Sequence, residues 1–278
     1  MTPRAGIRAI ALAAASVAAL PPGADVRAEV LVTKTAQTTF VRTYLWDIDK
    51  TADQDALTLS VGQTASVNYE VDVTRTGYVD TWGVSGLITI SNPDTDTAVA
   101  YTLVSVADVT SDGIFAVVDC GSVVFPFILE PGATLQCSYS ASLPDGSDRL
   151  NTAAVTLDTD EPNSQPTGSA SVTFSDLPTL VNATVSIEDS FALALGSVSD
   201  SASFTYGRLF GAGLGIGQYS FDNTATIVET GQSDSFTVRV SVVSAPATVA
   251  LLGIGVAGLA AARRRQTRWP GGLLPAPT

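Results

Sequence analysis

The residues best suited to chemistry are four aspartates in one short segment, Asp47, Asp49, Asp53 and Asp55. Calcium prefers clustered carboxylate oxygens, and Asp47 and Asp49 would share one face of a β-strand because side chains alternate along a strand. The segment lacks the glycine and the terminal glutamate of an EF-hand loop. The four aspartates are therefore weak Ca²⁺ candidates, and a solvated acidic face is the favoured interpretation.

The second reactive pair is Cys120 and Cys137, the two cysteines of the chain. In an oxidising compartment, an even number of cysteines predicts a disulfide. Closing a loop of about 18 residues would contribute about 3 kcal/mol in the chain-entropy model. Two free thiols are the alternative. A nucleophilic cysteine would need a histidine partner, and the sequence contains no histidine.

Catalysis has little support in the sequence. Without histidine there is no imidazole for acid–base or metal chemistry, and the many acidic residues single out no glycosidase pair. The glycine-rich segment 211–217 lacks the helix that follows a phosphate loop, so it is interpreted as a hairpin loop. Trp46 and Trp82 are interpreted as core or edge anchors rather than as ligand-stacking residues. We predict that the protein is not an enzyme and uses no cofactor.

The charge of the central region excludes one class of partner. Between Glu29 and the C-terminal segment there are seven basic and 26 acidic residues, a net charge of about −19. Nucleic-acid binding needs a basic footprint, so nucleic acid is not an expected partner. An acidic surface fits a soluble extracellular protein or one that collects cations.

Alternating apolar and polar residues predict β-strands through most of the chain, and turn residues separate them about every ten positions. No long amphipathic helical pattern interrupts them. This organisation is typical of Ig-like β-sandwiches. The predicted strands are Thr39–Ile48, Leu57–Val61, Val67–Val73, Leu87–Ile90, Ala98–Val106, Phe115–Cys120, Thr134–Ser142, Asn151–Leu157, Ala170–Phe174, Tyr219–Val228 and Phe236–Val242.

Three short segments recur in order, which indicates an internal repeat. The segments that begin at Cys137, Asn151 and Thr167 have echoes 67, 72 and 63 residues later, at Phe204, Asn223 and Thr230. Echoes at similar spacing favour two related domains over one large one. We predict two consecutive Ig-like β-sandwiches, residues 29–175 and a smaller one at 176–243.

The N-terminal segment has the three parts of a secretory signal peptide. A basic region that includes Arg4 and Arg8 precedes the apolar run Ala9–Leu20, and Val26-Arg27-Ala28 offers a small-residue cleavage site. We place the signal peptide at residues 1–28, with cleavage after Ala28.

The C-terminal segment predicts a short transmembrane helix. Residues 249–262 are apolar and uncharged, and Arg263, Arg264 and Arg265 follow at the end that the positive-inside rule places in the cytoplasm. Together with residues 245–248 this run comes near the lower spanning limit of about 17 residues. A plain membrane anchor is the alternative to a sorting element. Residues 266–278 are predicted to be an unstructured tail.

The order of features at this end resembles a PEP-CTERM signal, the C-terminal sorting element that bacterial exosortases process. In that family a Pro-Glu-Pro-Ala-Thr-like motif precedes a small-residue span and a basic end. Here the resemblance covers residues 243–265, and the motif is the run Ser244, Ala245, Pro246, Ala247 and Thr248. Ser244 and Ala245 stand where the family prefers proline and glutamate. The resemblance implies processing by an exosortase-type enzyme.

The central region resembles exported bacterial Ig-like modules of unknown function. The residues that carry this resemblance include Arg42-Thr-Tyr-Leu-Trp-Asp-Ile-Asp-Lys50, Val118-Asp-Cys-Gly121, Leu135-Gln-Cys-Ser-Tyr139 and Asn223-Thr-Ala225. It covers most of residues 39–242 and implies a sandwich without enzymatic activity. Members often have a cysteine where Ile216 stands here, so we expect the second domain to be the looser one.

Together these features predict a non-enzymatic protein of the cell surface or extracellular matrix, acting as a spacer or adhesin. It would be exported, anchored in the inner membrane on the periplasmic side through its C-terminal helix, and then processed for the cell surface or the exterior. Exosortase and exopolysaccharide are the expected partners. The alternative is a permanently membrane-anchored periplasmic module that binds Ca²⁺ or a glycan.

Overall fold

The computed structural model describes residues 29–95, 99–158 and 165–245, and these residues form β-strands and no helix. The strands are β1 (Leu31–Lys34), β2 (Gln37–Ala52), β3 (Ala56–Ser60), β4 (Ala65–Ser91), β5 (Tyr101–Thr110), β6 (Val117–Asp119), β7 (Phe127–Leu129), β8 (Thr134–Leu143), β9 (Arg149–Leu157), β10 (Thr167–Val172), β11 (Thr179–Val181), β12 (Val185–Asp189), β13 (Leu193–Val198), β14 (Ala202–Phe210), β15 (Gly217–Ile227) and β16 (Ser233–Val243). The all-β prediction is confirmed for this part of the chain.

The strands group into two compact units, and each unit is discontinuous in sequence. Unit 1 contains residues 29–44 and 77–183, and unit 2 contains residues 45–76 and 184–245. The sequence analysis places residues 45–76 in its first domain, whereas the structure groups them with unit 2. A linear pattern assigns neighbouring residues to one domain, but a compact unit is defined by contacts between distant strands.

Unit 1 consists of two sandwich-like sheets. In one sheet β11, β2, β4, β8 and β6 follow one another, and β1 also pairs with β4; in the other the order is β10, β9, β5, β7. Side chains on alternate positions of these strands point inward, which is the expected result of the two-residue strand period. Their apolar members form one core that includes Val84, Ile88, Leu103, Cys137 and Val155.

Unit 2 also consists of paired sheets. Residues 65–73 of β4 pair with β14, and a second sheet has the order β13, β12, β15, β16, β3. Its core includes Leu57, Val67, Tyr69, Phe210 and Val240. Aliphatic and aromatic side chains at alternate positions of these strands therefore close a second apolar interior.

Two local predictions differ from the structure. The predicted strands Val67–Val73 and Leu87–Ile90 belong to one continuous strand, β4, whose buried positions change from odd numbers in residues 67–73 to even numbers in residues 84–90. The segment 211–217 is not a hairpin loop: β14, before it, pairs with β4, and β15, after it, pairs with β12 and β16. Gly211 has a positive φ of 101°, and a Cβ there would collide with the carbonyl of Gln63, so this turn requires glycine.

The membrane-related predictions fall outside the described residues. The predicted signal peptide 1–28, most of the predicted span 244–265 and the tail 266–278 all belong to the undescribed part. Among the residues that the structure does describe, none lies in a helix long and apolar enough to cross a membrane.

Candidate functional site

Each unit contains one buried polar cluster made of the same four residue types. Cluster 1, in unit 1, consists of Lys34, Asp108, Tyr139 and Asn151, and cluster 2, in unit 2, consists of Lys50, Asp189, Tyr206 and Asn223. The lysine and aspartate side chains of both clusters are 0% exposed. Charged groups are almost never fully buried unless they are paired, so these clusters are the candidate functional sites.

Strand alternation places every member of cluster 1 at an inward position. Lys34 on β1 follows buried Val32, and Asn151 on β9 precedes buried Ala153. Asp108 lies on β5 at a position that is 1% exposed. The four residues therefore occupy positions where the sheets would otherwise place apolar side chains.

The geometry of cluster 1 is centred on the carboxylate of Asp108. Lys34 Nζ donates to both carboxylate oxygens at 2.7 Å, and Asn151 Nδ2 donates to Asp108 Oδ2 at 3.2 Å. Lys34 Nζ also lies 3.1 Å from the centroid of the Tyr139 ring, a cation–π contact. The Tyr139 hydroxyl donates to the carbonyl of Thr35 at 2.6 Å and also interacts with the side chain of Asn151.

Burial makes the protonation of cluster 1 unusual. Desolvation lowers the pKa of Lys34 to about 8, although the hydrogen bond and the charge of Asp108 act in the opposite direction. Burial also raises the pKa of the Tyr139 hydroxyl, with a further contribution from the Asp108 charge. The Asn151 Oδ1 atom is buried without a hydrogen-bond partner, a situation that costs about 1–3 kcal/mol.

Cluster 2 is centred on a tyrosine hydroxyl as well as on a carboxylate. Lys50 Nζ lies 2.5 Å from Asp189 Oδ2 and donates to the Tyr206 hydroxyl at 3.0 Å. Tyr206 donates in turn to Asp189 Oδ1 at 2.8 Å. Asn223 Nδ2 donates to the same hydroxyl, and Asn223 Oδ1 accepts a hydrogen bond from Ser190 Oγ at 2.9 Å. Every polar atom of the Asn223 carboxamide thus has a partner.

Asp189 is held in its charged form. Burial alone would raise its pKa, but hydrogen bonds from Lys50, from the backbone amides of Ala192 and Phe191 and from Tyr206 bring the pKa of Asp189 below its usual range. Burial raises the pKa of the Tyr206 hydroxyl. The hydroxyl therefore stays neutral and serves as both donor and acceptor within the cluster.

The two clusters occupy corresponding places in the two units. Tyr139 and Tyr206 lie on β8 and β14, which both pair with β4. Asn151 and Asn223 lie on β9 and β15, and these strands pair with the aspartate-bearing strands β5 and β12. The echoes at Cys137/Phe204 and Asn151/Asn223 in the sequence therefore mark the tyrosine and the asparagine of each cluster.

The sequence analysis missed the lysines, although the sequence contains a signal for them. Lys34 and Lys50 are the only lysines among 278 residues, and the other basic residues are arginines. Each lysine also follows buried apolar residues at alternate positions of its strand. Val32 precedes Lys34, and Trp46 and Ile48 precede Lys50. A rare cation at a core position of a strand is the pattern that would have identified both clusters.

The four aspartates named as Ca²⁺ candidates do not form a cage. Asp47 and Asp49 share the exposed face of β2, as alternation predicts, while Asp53 accepts hydrogen bonds from the backbone and side chain of Asn68 at 2.9 and 2.7 Å. Within residues 29–95, 99–158 and 165–245, no group of three or more His, Cys, Asp or Glu side chains is placed to hold a metal ion. The structure thus assembles no Ca²⁺ site from Asp47, Asp49, Asp53 and Asp55.

Cys120 and Cys137 form the predicted disulfide, with a Cα–Cα distance of 4.1 Å. Cys137 is fully buried in the core of unit 1, on the same strand as Tyr139. The disulfide therefore ties the segment after β6 to the strand that carries one member of cluster 1.

Trp46 and Trp82 are packing residues, as predicted from the sequence. Trp46 is 3% exposed on β2, and Trp82 stacks on Phe40 with ring centroids 3.6 Å apart and meets Phe174 edge-on at 4.9 Å. These rings contribute apolar area and aromatic contacts.

The fold and the clusters define an all-β protein with sandwich-like sheets and buried lysine–aspartate pairs. No protein-family model matches the chain, and no curated protein is similar to it.

Proposed function

We propose that this is an exported, non-enzymatic structural protein of the bacterial surface or extracellular matrix, a spacer or adhesin. Its C-terminal segment would hold it in the inner membrane on the periplasmic side until an exosortase-type enzyme processes it. Exopolysaccharide is the expected neighbour of the released protein. The two β-units are its working part and need no cofactor for this role.

The observation that carries the proposal is where the folded strands end. The last strand, β16, ends at Val243, and the motif Ser244–Thr248, the apolar run and the arginines begin at the next residue. At the other end, β1 begins at Leu31, three residues after the predicted cleavage site at Ala28. The folded region thus fits between the two predicted export signals with almost nothing left over.

The disulfide and the charge support the same conclusion. Structural disulfides persist in oxidising compartments such as the periplasm and the cell exterior, and Cys120 and Cys137 are paired. An acidic surface resists aggregation outside the cell and does not bind nucleic acid.

The mature C-terminus, determined by mass spectrometry with and without an exosortase, tests this proposal. We expect Arg263, Arg264 and Arg265 to be absent from the protein made in the exosortase-containing strain and present in the other. The variant Pro246→Ala should retain its arginines in both strains because it alters the motif. Pro270→Ala, which changes a proline beyond the arginines, is the matched control and should be processed normally.

Retention of all three arginines in both strains would contradict the sorting role and favour a permanent membrane anchor. A permanent anchor would then be identified by finding the protein in the membrane fraction and not in the medium.

A further inference from the structure

Each cluster contains the three functional groups that an amide-forming reaction requires. Cluster 1 combines a primary amine, a carboxyl group and a carboxamide, and two of its nitrogens, Lys34 Nζ and Asn151 Nδ2, contact the same oxygen, Asp108 Oδ2. The amine is a nucleophile when it is neutral, and the carboxamide carbon is an electrophile. Groups held this close react with a high effective concentration.

We propose that each unit closes an intramolecular amide (isopeptide) bond between its buried lysine and its buried asparagine. The bond joins Lys34 Nζ to Asn151 Cγ in unit 1 and Lys50 Nζ to Asn223 Cγ in unit 2. Asp108 and Asp189 act as the proton-transferring catalytic residues. This inference does not depend on the proposed sorting of the protein.

The reaction in unit 1 balances without any co-reactant. A proton first passes from the Lys34 ammonium to the Asp108 carboxylate. The neutral amine then attacks Asn151 Cγ, so that the Nζ–Cγ bond forms and the Cγ–Nδ2 bond breaks. Asp108 gives its proton to the departing nitrogen and receives one from the attacking amine. An amine and a carboxamide thus become one secondary amide and one molecule of ammonia, and Asp108 keeps the proton with which it entered the attack.

The surroundings of cluster 1 favour this proton transfer. Removal from water disfavours the charged form of Lys34, which is why its pKa falls to about 8. A protonated Asp108 can donate a hydrogen bond, and the partnerless Asn151 Oδ1 is the acceptor that a rotated carboxamide would present to it. That hydrogen bond polarises the carbonyl for attack. Exclusion of water also prevents hydrolysis in place of amide formation.

In unit 2 the Tyr206 hydroxyl connects the reacting groups. It accepts hydrogen bonds from both Lys50 Nζ and Asn223 Nδ2 and donates to Asp189 Oδ1. These hydrogen bonds connect the amine and the departing nitrogen with Asp189 through one hydroxyl, which can relay a proton between them.

The placement of the lysines argues for a chemical role. A buried ion pair is weak evidence for stability, because the cost of removing two charges from water can exceed their attraction. Arginine makes better buried ion pairs but cannot lose its proton, whereas lysine can. This chain uses arginine at every other basic position and reserves its two lysines for the two clusters.

Intact-mass measurement of the full chain, reduced and denatured, tests the proposal. The folded wild-type protein should be lighter than its sequence mass by two molecules of ammonia. Lys34→Arg and Lys50→Arg should each restore one ammonia, because the guanidinium does not attack. Asp108→Asn and Asp189→Asn should restore the same masses although both reacting side chains remain. Asp80→Asn, which alters the partly exposed Arg42–Asp80 pair, is the control and should keep the full deficit.

Tandem mass spectrometry should locate the bonds as two branched peptides, one joining the segments of Lys34 and Asn151 and one joining those of Lys50 and Asn223. The full sequence mass in folded wild-type protein would overturn the proposal, whatever the variants do. A deficit of one ammonia would overturn it for the unit whose branched peptide is missing. A deficit that persists in Asp108→Asn would overturn the catalytic role of Asp108.

Discussion

Clusters 1 and 2 contain the same residue types but are connected differently. In unit 1 the carboxylate of Asp108 is the centre, and the ring of Tyr139 faces Lys34 while its hydroxyl donates to Thr35 and interacts with Asn151. In unit 2 the hydroxyl of Tyr206 is itself a centre and contacts the lysine, the aspartate and the asparagine.

This difference separates what the fold requires from what it allows. Both units keep a lysine opposite an aspartate and an asparagine, which preserves charge neutrality inside an apolar core. In both units the tyrosine lies on a strand that pairs with β4, and the centroid of its ring is 3.1 Å from the lysine Nζ in unit 1 and 5.2 Å from it in unit 2. The disulfide provides a second difference, since it lies in unit 1. Four measurements would test the comparison.

The largest effect should come from removing a buried carboxylate. Asp189→Ala leaves the buried Lys50 without its ion-pair partner and also removes the acceptor for the backbone amides of Phe191 and Ala192. We expect a loss of about 3–5 kcal/mol in the free energy of unfolding, typical of breaking a buried ion pair. Urea denaturation would measure it. Asp80→Ala, at the partly exposed Arg42–Asp80 pair, is the control, and an equal loss there would contradict the special role of full burial.

Removing the disulfide should weaken unit 1 in particular. The double variant Cys120→Ala/Cys137→Ala opens the loop between residues 17 apart in the sequence. A loop of this length contributes about 3 kcal/mol in the chain-entropy model. Hydrogen exchange should show faster opening of β8 and β9, with β15 and β16 unchanged. Equal acceleration of exchange in both units would show that their stabilities are coupled.

The two tyrosine hydroxyls should differ in their contributions. Tyr206→Phe removes hydrogen bonds to Lys50, Asp189 and Asn223, and bonds to charged groups contribute about 1.5–3 kcal/mol. Tyr139→Phe removes the hydrogen bond to the Thr35 carbonyl and the interaction with Asn151 and keeps the cation–π contact, so about 1 kcal/mol is expected. Thermal unfolding of the two matched variants measures the difference. A larger loss of stability for Tyr139→Phe than for Tyr206→Phe would contradict the central role of the Tyr206 hydroxyl.

The smallest effect should be an acid response at the rim of unit 1. Hydrogen bonds from Ser147 and Arg149 lower the pKa of the exposed Asp145 carboxyl to about 2, from an ordinary value of 3.8. Because the folded-state pKa is the lower one, this stabilisation is present above pH 4 and is lost as the pH falls towards 2. Melting temperatures of wild type and Asp145→Asn should therefore converge over that range. Curves that stay parallel would show that Asp145 contributes nothing.

Much of the secondary structure could be predicted because strand alternation is local. The strands around Thr134–Ser142, Asn151–Leu157 and Phe236–Val242 are present with bounds shifted by a few residues. The nine-residue strand β14 was missed although its residues alternate in burial, whereas β12 and β13 were missed because they are only five and six residues long. Short patterns of this kind do not distinguish strands from loops.

The candidate site was only partly predictable. The repeated segments identified Tyr139, Tyr206, Asn151 and Asn223 as corresponding residues, but nothing local joins Lys34 to Asp108, 74 residues away, or Lys50 to Asp189, 139 residues away. Asp47 and Asp49 were predicted as Ca²⁺ candidates because they are close in sequence. Residues that are close in sequence, such as these aspartates, carry exposed charges. The residues of clusters 1 and 2 come together only when the sheets pack.

By itself, then, the sequence determined the all-β class, the cysteine pair, the acidic character and the alternating positions that point each lysine inward, since these follow from composition and from the period of a strand. Tertiary structure decided that residues 45–76 join unit 2 and that each buried lysine faces one aspartate and one asparagine. Those outcomes depend on which strands pair across long stretches of chain. Such pairing is selected by the burial of a whole core and not by any segment of it.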